Sequence, residues 1–313
     1  MTTDNLDIQE LITLLDSIRT IVNESINTLI ARVPYIGELA NRALIGGKRV
    51  RGILVILFSR ALKGDETLAK QFSAIIEFIH AATLLHDDLI DDHEIRRGLP
   101  AFWKEYGAKL AILAGDFLFT AAGQFLKYIS NEALRLITTT IYKVTLGVIL
   151  EAQPEYFTKD ISKVYILMNR LKTGELFGTA ACLGVLASSR REYLRNAYKY
   201  GILTGEAYQI ADDIFDLRLL RESVKGIDQK PLKLALLYFS EGDFSPEEIL
   251  NIRDPEKLVK IADDIGLEEK MLKLINERIN AGIKAIKPLP KSYEKRILEK
   301  APKAMIEIML RKG

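Results

Sequence analysis

The stretch EFIHAATLLHDDLIDDHEIRRG, residues 77–98, decides the fold of this chain. Its apolar residues recur at three- and four-residue spacing, which is typical of the buried face of an α-helix. The apolar run ends in three carboxylates, Asp87, Asp88 and Asp91. Residues four positions apart share a helix face, so the sequence places Asp87 over Asp91 and directs these carboxylates the same way.

A second stretch, YQIADDIFD at residues 208–216, repeats the Asp-Asp-x-x-Asp spacing with Asp212, Asp213 and Asp216. Carboxylates held side by side repel one another unless cations lie between them. Mg²⁺ prefers hard oxygen ligands, keeps part of its water shell and shares its coordination with substrate phosphates. The two motifs therefore predict Mg²⁺ ions that bind a diphosphate between two facing helices.

Acidic clusters at helix ends are also common on solvated surfaces, and the chain contains a comparison. Asp263 and Asp264 form a pair, but Leu267 stands where a third carboxylate would complete the motif. We interpret that pair as structural. One complete motif would leave the choice between site and surface open, whereas two motifs, each after an apolar helix, favour a metal–diphosphate site.

Length and composition favour a large globular protein without targeting signals. The chain has 313 residues, 48% of them hydrophobic, and its net charge of +2 gives no nucleic-acid footprint. We find no signal peptide and no uncharged run of about eighteen residues, so we expect no stable membrane anchor and a cytoplasmic location. The single cysteine, Cys182, excludes a disulfide within the chain.

Helix signals dominate the sequence. Apolar periodicity and breaker residues predict helices over the following ranges: 6–32, 36–45, 50–63, 66–90, 107–129, 131–157, 161–189 and 192–217. Ser245-Pro246 and Asp254-Pro255 are start signals of two shorter helices. Because no alternating strand pattern, repeat or linker is visible, we predict one all-α domain over residues 1–313 around a deep central cavity. The non-helical segments are predicted at 46–52, 92–106 and 218–231.

Basic residues accompany the acidic motifs. In GGKRVRG, residues 46–52, two glycines allow close backbone approach, and Lys48 and Arg51 fall on one side of the next helix. Arg96 and Arg97 follow the first acidic motif, and guanidinium groups bind phosphate oxygens in a bidentate way. These residues are therefore candidates for diphosphate binding. Alternatively, they begin a solvated helix and neutralise the adjacent carboxylates.

All three histidines, His80, His86 and His93, lie near the first acidic motif. No cysteine or second ligand pair has the spacing of a zinc site. His80 lies two helical turns before Asp87 on roughly the same face, so it is a candidate donor to a phosphate. We interpret His86 and His93 as structural residues.

At this point the chain resembles the trans-isoprenyl diphosphate (polyprenyl) synthases, from residue 20 to at least residue 235. The matching pieces occur in family order: GGKRVRG at 46–52, EFIHAATLLHDDLIDDHEIRRG at 77–98, AGDFLF at 114–119, LKTGELF at 171–177 and GEAYQIADDIFD at 205–216. The resemblance implies two aspartate motifs facing each other across a cavity mouth, three Mg²⁺ ions with substrate, and a homodimer. It also implies head-to-tail condensation of an allylic diphosphate with isopentenyl diphosphate.

The resemblance assigns roles to individual residues. Isopentenyl diphosphate would be bound by Lys48, Arg51, His80 and Arg97. Metal ions would be bound by Asp87 and Asp91 with support from Asp88, and by Asp212 and Asp216. The allylic diphosphate would contact Arg96, Lys172, Thr173 and Gln209, of which the last three would also act in catalysis. Glu151 and Gln153 fall where the family has a polar helix near the site.

The chain departs from the family pattern in places. Gly52 stands where the first basic motif usually continues into Pro. After Asp216 the family has a Gly-rich loop over the allylic diphosphate, whereas this chain keeps Lys225 and Lys230 in a compressed loop around Asp228. That erosion keeps open a non-catalytic or regulatory subunit that pairs with an active partner. A class I terpene cyclase is a second alternative, although such enzymes lack the GGKR clamp.

Small residues precede the first acidic motif. Ala82 and Thr83 lie five and four residues before Asp87, where large aromatics end the product early in the family. Ile79 lies one turn deeper, so nothing bulky stands at the top of the expected cavity. We predict a linear product longer than about twenty carbons. Alternatively, a bulky side chain from another helix fills this space.

Overall fold

The computed structural model describes residues 8–33, 36–154, 160–224 and 227–311, and most of these residues are α-helical. The helices are α1 (Ile8–Ile30), α2 (Gly37–Leu44), α3 (Val50–Ala61), α4 (Glu66–Ile90), α5 (Phe102–Tyr106), α6 (Ala108–Lys127), α7 (Asn131–Ala152), α8 (Val164–Asn169), α9 (Glu175–Leu186), α10 (Leu194–Arg221), α11 (Lys230–Phe239), α12 (Pro246–Leu250), α13 (Pro255–Asp264), α14 (Leu267–Ala285) and α15 (Tyr293–Leu310). The all-α prediction is confirmed.

Three local expectations need correction. The predicted helix 161–189 is divided, because a π-helical turn, Arg170–Gly174, separates α8 from α9. The segment 92–106 is not free of regular structure: it contains the two-residue strands β1 (Ile95–Arg96) and β2 (Leu99–Pro100), paired antiparallel, and then α5. The segment predicted to be non-helical from 218 begins later, since α10 continues to Arg221.

Contacts divide the described residues between two compact units. Unit 1 takes them from Met1–Ile141, Thr179–Tyr198 and Pro288–Leu298, and unit 2 from Tyr142–Gly178, Lys199–Lys287 and Glu299–Gly313. The assignment of the whole chain to one domain stays a prediction.

Unit 1 is built around α4. Asp65 caps this helix by accepting a hydrogen bond from the Leu68 N–H at 2.6 Å, and α4 then packs against α1, α3 and α6. Phe58, Phe72 and Phe78 are fully buried among these helices. Removing such apolar side chains from water is the main favourable contribution to the folding of the unit. The acidic end of α4 is thereby held on a rigid element.

Unit 2 packs α10 closely against the π-helical turn. A Cβ atom added at Gly205 of α10 would lie 2.8 Å from Gly174 Cα, and one added at Gly147 of α7 would lie 2.7 Å from Lys172 N. Only glycine permits these approaches. The capping predictions are confirmed: Ser245 forms a capping box with Glu248, and Asp254 accepts from the Glu256 N–H.

Three described helices are long and apolar enough to cross a membrane when judged by length and composition alone: Glu66–Ile90, Ala108–Lys127 and Asn131–Ala152. In the first of them, 67% of the most apolar window is buried by the protein itself. The expectation that the chain has no membrane anchor stays a prediction.

Candidate functional site

The first acidic motif lies at the C-terminal end of α4 in unit 1. The Asp91 N–H donates to the Asp87 carbonyl at 2.8 Å, so these residues are one helical turn apart, as their spacing predicts. The last turn of α4 contains no basic residue. The negative end of the helix dipole adds to the repulsion among the carboxylates there. This end of α4 therefore favours a bound cation.

Asp88 is the buried member of the motif, with 3% of its surface exposed. The Arg96 guanidinium donates to Asp88 Oδ1 through Nε at 2.7 Å and also through Nη2. His93 Nδ1 lies 3.4 Å from Arg96 Nη2. In this structure Arg96 therefore neutralises the adjacent Asp88 carboxylate, which is the alternative to phosphate binding given above. Contact between Arg96 and an allylic diphosphate stays a prediction.

His80 lies in a strongly positive environment two turns before the acidic end. The pKa of its imidazole is well below the ordinary value of 6.5, because burial removes it from water and nearby arginines repel its charged form. Those arginines are Arg51, Arg97, Arg49 and Arg96. Within the described part of the chain, the buried His80 Nδ1 has no hydrogen-bond partner. A neutral polar atom amid guanidinium groups suits a phosphate. Binding of isopentenyl diphosphate by His80 stays a prediction.

Arg97 lies over the glycines of the first basic motif. It donates from Nη1 to the Ile45 carbonyl at 2.6 Å, and a Cβ atom at Gly47 would lie 2.8 Å from its Cζ. Gly46 and Gly47 both have positive φ, at 68° and 91°. The glycines therefore let the backbone turn beneath the guanidinium. Arg97 thus donates to a backbone carbonyl, whereas Arg96 donates to the Asp88 carboxylate.

A buried ion pair that the sequence analysis missed supports this loop. Arg49 is 7% exposed, and its Nη1 lies 3.6 Å from Oε2 of Glu77, which is 2% exposed. Glu77 Oε1 also accepts from the Gly52 N–H at 2.9 Å. Lys48, next to Arg49 in sequence, is exposed in the segment that precedes α3. The signal that could have revealed the pair is the lone glutamate inside the apolar run of α4.

His86 lies against α6, and its interpretation as a structural residue stays a prediction. Its Nε2 lies 3.2 Å from the Ile112 carbonyl, and a Cβ atom at Gly115 would lie 2.2 Å from the same nitrogen. The glycine of the AGDFLF segment therefore makes room for this imidazole.

The predicted catalytic residues of unit 2 are brought together. Thr173, on the π-helical turn, donates its hydroxyl proton to Gln209 Oε1 at 2.6 Å. The Gln209 amide donates from Nε2 to Asp213 Oδ1 at 3.1 Å, and the Tyr165 hydroxyl donates to Asp213 Oδ2 at 2.6 Å. Sequence reasoning predicted Thr173 and Gln209 but missed Tyr165, which carries no motif signal.

Lys172 is paired with Glu151 in unit 2. Its Nζ donates to Glu151 Oε2 at 2.5 Å, and both side chains are largely shielded from solvent. The pairing places the loosely matched Glu151 beside a predicted catalytic residue. Gln153 is exposed. A π-helical turn of this kind is frequent at functional sites, because the wider turn redirects side chains.

The carboxylates of the second acidic motif repel one another. Burial, followed by the charges of Asp212, Asp213 and Asp228, raises the pKa of Asp216 to about 8. Burial raises the pKa of Asp213 to about 7, although donation from Tyr165 and Gln209 opposes the shift. Carboxylates that cannot all ionise together fit a divalent cation, and their oxygens are the ligands that Mg²⁺ prefers.

Among the described residues, no group of three or more His, Cys, Asp or Glu side chains could hold a metal ion by itself. Asp87, Asp91, Asp212 and Asp216 stay predicted ligands.

The compressed loop is described only in part. Lys225 lies outside the described residues. Lys230 begins α11, and its Nζ donates to the Ala152 carbonyl. Asp228 Oδ1 accepts from the Lys230 N–H at 2.9 Å, which holds the start of α11. The role of either lysine at an allylic diphosphate stays a prediction.

The predicted chain-length residues all lie on α4, and Thr83 is the partly exposed one of the three. Ala82 is fully buried, Ile79 is 1% exposed, and Thr83 donates its hydroxyl proton to the His80 carbonyl at 2.8 Å. Other atoms of the protein therefore cover Ala82 in this structure. Their burial is compatible with either explanation of the small side chains.

Sequence comparison identifies relatives across most of the chain. The family model described as polyprenyl synthetase matches residues 33–233. A prenyl transferase from Synechocystis sp. is 34% identical over 214 residues, which are 66% of this chain and 64% of that protein. A prenyl transferase from Cyanophora paradoxa is 30% identical over 83% of this chain and 85% of its own length. Heptaprenyl diphosphate synthase component 2 of Bacillus subtilis is 29% identical, with 84% and 75% covered. The match to the first relative spans just under two thirds of that protein.

Solved structures share the fold. Geranylgeranyl pyrophosphate synthetase from Pyrococcus horikoshii Ot3 has a TM-score of 0.80 at 28% identity, covering 96% of this chain and 98% of that one. A polyprenyl synthase from Caulobacter crescentus CB15, complexed with calcium and isoprenyl diphosphate, has a TM-score of 0.79 at 23% identity, with 96% and 97% covered. The second likeness concerns the fold alone.

Proposed function

The chain belongs to the polyprenyl synthetase family, and from this premise we propose that it condenses an allylic diphosphate with isopentenyl diphosphate, head to tail. The product is a linear polyprenyl diphosphate longer than about twenty carbons. The chain is a prenyltransferase, and we propose that its activity depends on Mg²⁺ and that it acts as a homodimer.

The observation that carries the proposal is the arrangement of one helix. α4 carries His80, whose Nδ1 lies amid arginines and has no hydrogen-bond partner among the described residues. Two turns later, the same helix carries the three carboxylates of the first acidic motif. The arginine pocket suits a diphosphate directly, whereas the carboxylates suit one held through cations. Two diphosphates bound by different means are what a condensation requires. A terpene cyclase binds only one, so the pocket favours condensation.

The residues of the chain then act as follows. Arg97, Arg51 and His80 hold isopentenyl diphosphate, so that its double bond is kept in position for attack. Bound Mg²⁺ would neutralise the charge that grows on the departing allylic diphosphate. Lys172 adds a cationic donor for that charge, and the oxygens of Thr173 and Gln209 present dipoles to the allylic carbocation. Exclusion of water protects this cation from capture.

The experiment is incubation of the purified chain with labelled isopentenyl diphosphate, allylic diphosphates of increasing length and Mg²⁺, followed by sizing of the dephosphorylated products. We expect elongation without cyclisation, and its loss when EDTA removes the metal. Asp87→Ala should reduce kcat at least about a hundredfold, since it removes a predicted metal ligand. Asp264→Ala, from the pair without a third carboxylate, is the matched control and should retain activity. Cyclic products, or turnover unaffected by Asp87→Ala, would contradict the proposal.

A regulatory subunit is a second candidate, because the loop after α10 has lost most of its glycines and one relative is named as a component of a synthase. The same assay separates the two functions. Turnover by the chain alone identifies the synthase. Turnover that appears only after addition of a second protein identifies the subunit.

A further inference from the structure

The hydroxyl of Tyr165 lies at the start of a hydrogen-bonded series in unit 2. Tyr165 is fully buried and donates to one oxygen of Asp213, and the other oxygen of Asp213 accepts from the Gln209 amide. Gln209 then accepts the hydroxyl proton of Thr173. The three bonds measure 2.6, 3.1 and 2.6 Å, so the series is continuous from the core of the unit to a predicted catalytic residue.

The direction of the donors in this series has a chemical consequence. Both oxygens of Asp213 accept hydrogen bonds, one from the Tyr165 hydroxyl and the other from Gln209, so Gln209 presents its NH₂ group to Asp213. The amide oxygen of Gln209 must then face Thr173, whose hydroxyl proton it accepts. With that proton committed, Thr173 presents oxygen lone pairs to its surroundings. Lone pairs stabilise a developing carbocation, whereas an outward O–H proton would destabilise it.

Two packing features hold Tyr165 in place. Its ring lies 6.0 Å from that of Tyr238 and 6.1 Å from that of Phe239, both in α11. At the other end of the series, the close approach of Gly205 to Gly174 brings α10 against the π-helical turn that carries Thr173. The ends of the series are therefore fixed by separate contacts, and the orientation of the Gln209 amide between them depends on Asp213.

We propose that Tyr165 is a positioning residue of the prenyl transfer reaction: through Asp213 it sets the orientation of the Gln209 amide and thereby the direction in which Thr173 presents its oxygen. The inference rests on the proposed function. Tyr165 itself does not touch the substrate. Its loss removes the contact that fixes the orientation of the Asp213 carboxyl group. The other oxygen of Asp213 then no longer holds the Gln209 amide in one orientation, so that Thr173 spends part of the time with its proton outward.

The test is Tyr165→Phe, which keeps the ring and removes only the hydroxyl. We expect kcat with an allylic diphosphate and isopentenyl diphosphate to fall about tenfold to a hundredfold, a range typical of a mispositioned catalytic group. The KM for isopentenyl diphosphate should stay within about twofold, because positioning acts on the chemical step and leaves ground-state binding unchanged. Tyr200→Phe is the matched control: Tyr200 is also buried in unit 2, but its hydroxyl bonds to Thr204 and the side chain takes no part in the series. It should leave kcat unchanged.

A double-mutant cycle separates positioning from general destabilisation. If Tyr165 acts through Thr173, Tyr165→Phe should reduce kcat by less than about twofold in a Thr173→Ala background, because residues of one network are not additive. Full additivity, or an unchanged kcat in folded Tyr165→Phe, would overturn the proposal.

Asp213→Asn provides a second variant should Tyr165→Phe fail to fold, because it is isosteric and removes a buried charge. Its amide cannot accept from both partners, so we expect a comparable fall in kcat, and wild-type kcat would overturn the proposal. Absence of condensation by the unaltered chain refutes the proposed function itself. A normal wild-type rate with additive variants refutes only the positioning role.

Discussion

Gly52 occupies the position where the first basic motif of the family usually continues into proline. The Gly52 N–H lies in the first turn of α3, where backbone N–H groups have no partner within the helix. It donates to the buried carboxylate of Glu77 at 2.9 Å. Proline has no N–H to donate. A Cβ atom at this position would also lie 2.6 Å from Val22 Cγ1. The departure is therefore matched by its surroundings, and glycine is the residue that fits.

Gly52→Pro should lower the free energy of unfolding by at least about 2 kcal/mol, because it removes one donor to the buried Glu77 carboxylate and overpacks the space beside Val22. Urea-induced unfolding measures the change. Gly123→Ala is the control, since its Cβ would meet only Leu134 at 4.0 Å, and it should stabilise α6 by up to about 1 kcal/mol. Equal stabilities of Gly52→Pro and the unaltered chain would contradict the assigned role of the Gly52 N–H.

The raised pKa values of the second acidic motif predict a pH dependence of stability. Asp216 and Asp213 have pKa values of about 8 and about 7, against an ordinary value of 3.8. Between the ordinary value and these raised values, the two carboxyl groups of the folded chain keep protons that the unfolded chain has lost. The free energy of unfolding therefore falls as pH rises. The depressed pKa of His80 acts in the opposite direction, but only below its ordinary value of 6.5.

In EDTA, the melting temperature should therefore fall between pH 6.5 and about pH 8. Asp216→Asn should flatten this dependence, since the amide does not titrate. Mg²⁺ should flatten it as well, because a cation stabilises the ionised carboxylates. Differential scanning fluorimetry over this range provides the measurement, and a melting temperature that rises with pH in EDTA would count against the repulsion inferred in the motif.

At the scale of elements, one buried arginine joins the start of α3 to three other helices. Arg49 donates to Asn23 Oδ1 of α1 at 2.9 Å and to the Leu44 carbonyl of α2, and it pairs with Glu77 of α4. Arg49 has a positive φ of 54°, so it also forms the turn into α3. Lys48 and Arg51 flank it in sequence, and their positions therefore depend on this residue.

Arg49→Met should destabilise the chain by about 3–5 kcal/mol, because it leaves the Glu77 charge buried without its partner. The double variant Arg49→Met/Glu77→Gln should recover part of this loss, since it removes the uncompensated charge. The free energy of unfolding of the two single variants and the double variant forms the cycle. Additive losses would indicate that the pair contributes nothing as a pair.

At the scale of the whole molecule, the length of the product tests the prediction that the small residues of α4 leave space for the growing chain. Ala82→Phe should shorten the longest product, because a ring five residues before Asp87 would occupy the space expected to receive the growing chain. Chromatography of the dephosphorylated products measures the change, and Lys70→Phe, on a more exposed part of the same helix, is the control. An unchanged product distribution from a folded Ala82→Phe would show that another wall sets the length.

Much of this architecture could be predicted from the sequence, because helix periodicity and motif spacing are local properties. The predicted bounds of α4 agree with the observed helix, and the one-turn separation of Asp87 and Asp91 follows from their spacing. The π-helical turn at Arg170–Gly174 could not be predicted in this way. It depends on glycines of α7 and α10 that approach it from distant parts of the chain.

Local spacing thus predicted an α-helical fold with two aspartate motifs accompanied by basic residues, and the resemblance of these motifs to a known family added the prenyltransferase activity. Only the tertiary structure shows that Arg49 is buried against Glu77. It also shows that Arg96 pairs with Asp88, whereas Arg97 lies over the glycines. It also decided which way the Gln209 amide faces. The physical reason is that burial and hydrogen-bond direction depend on neighbours far away in sequence, whereas helix formation and motif spacing depend on neighbours one turn away.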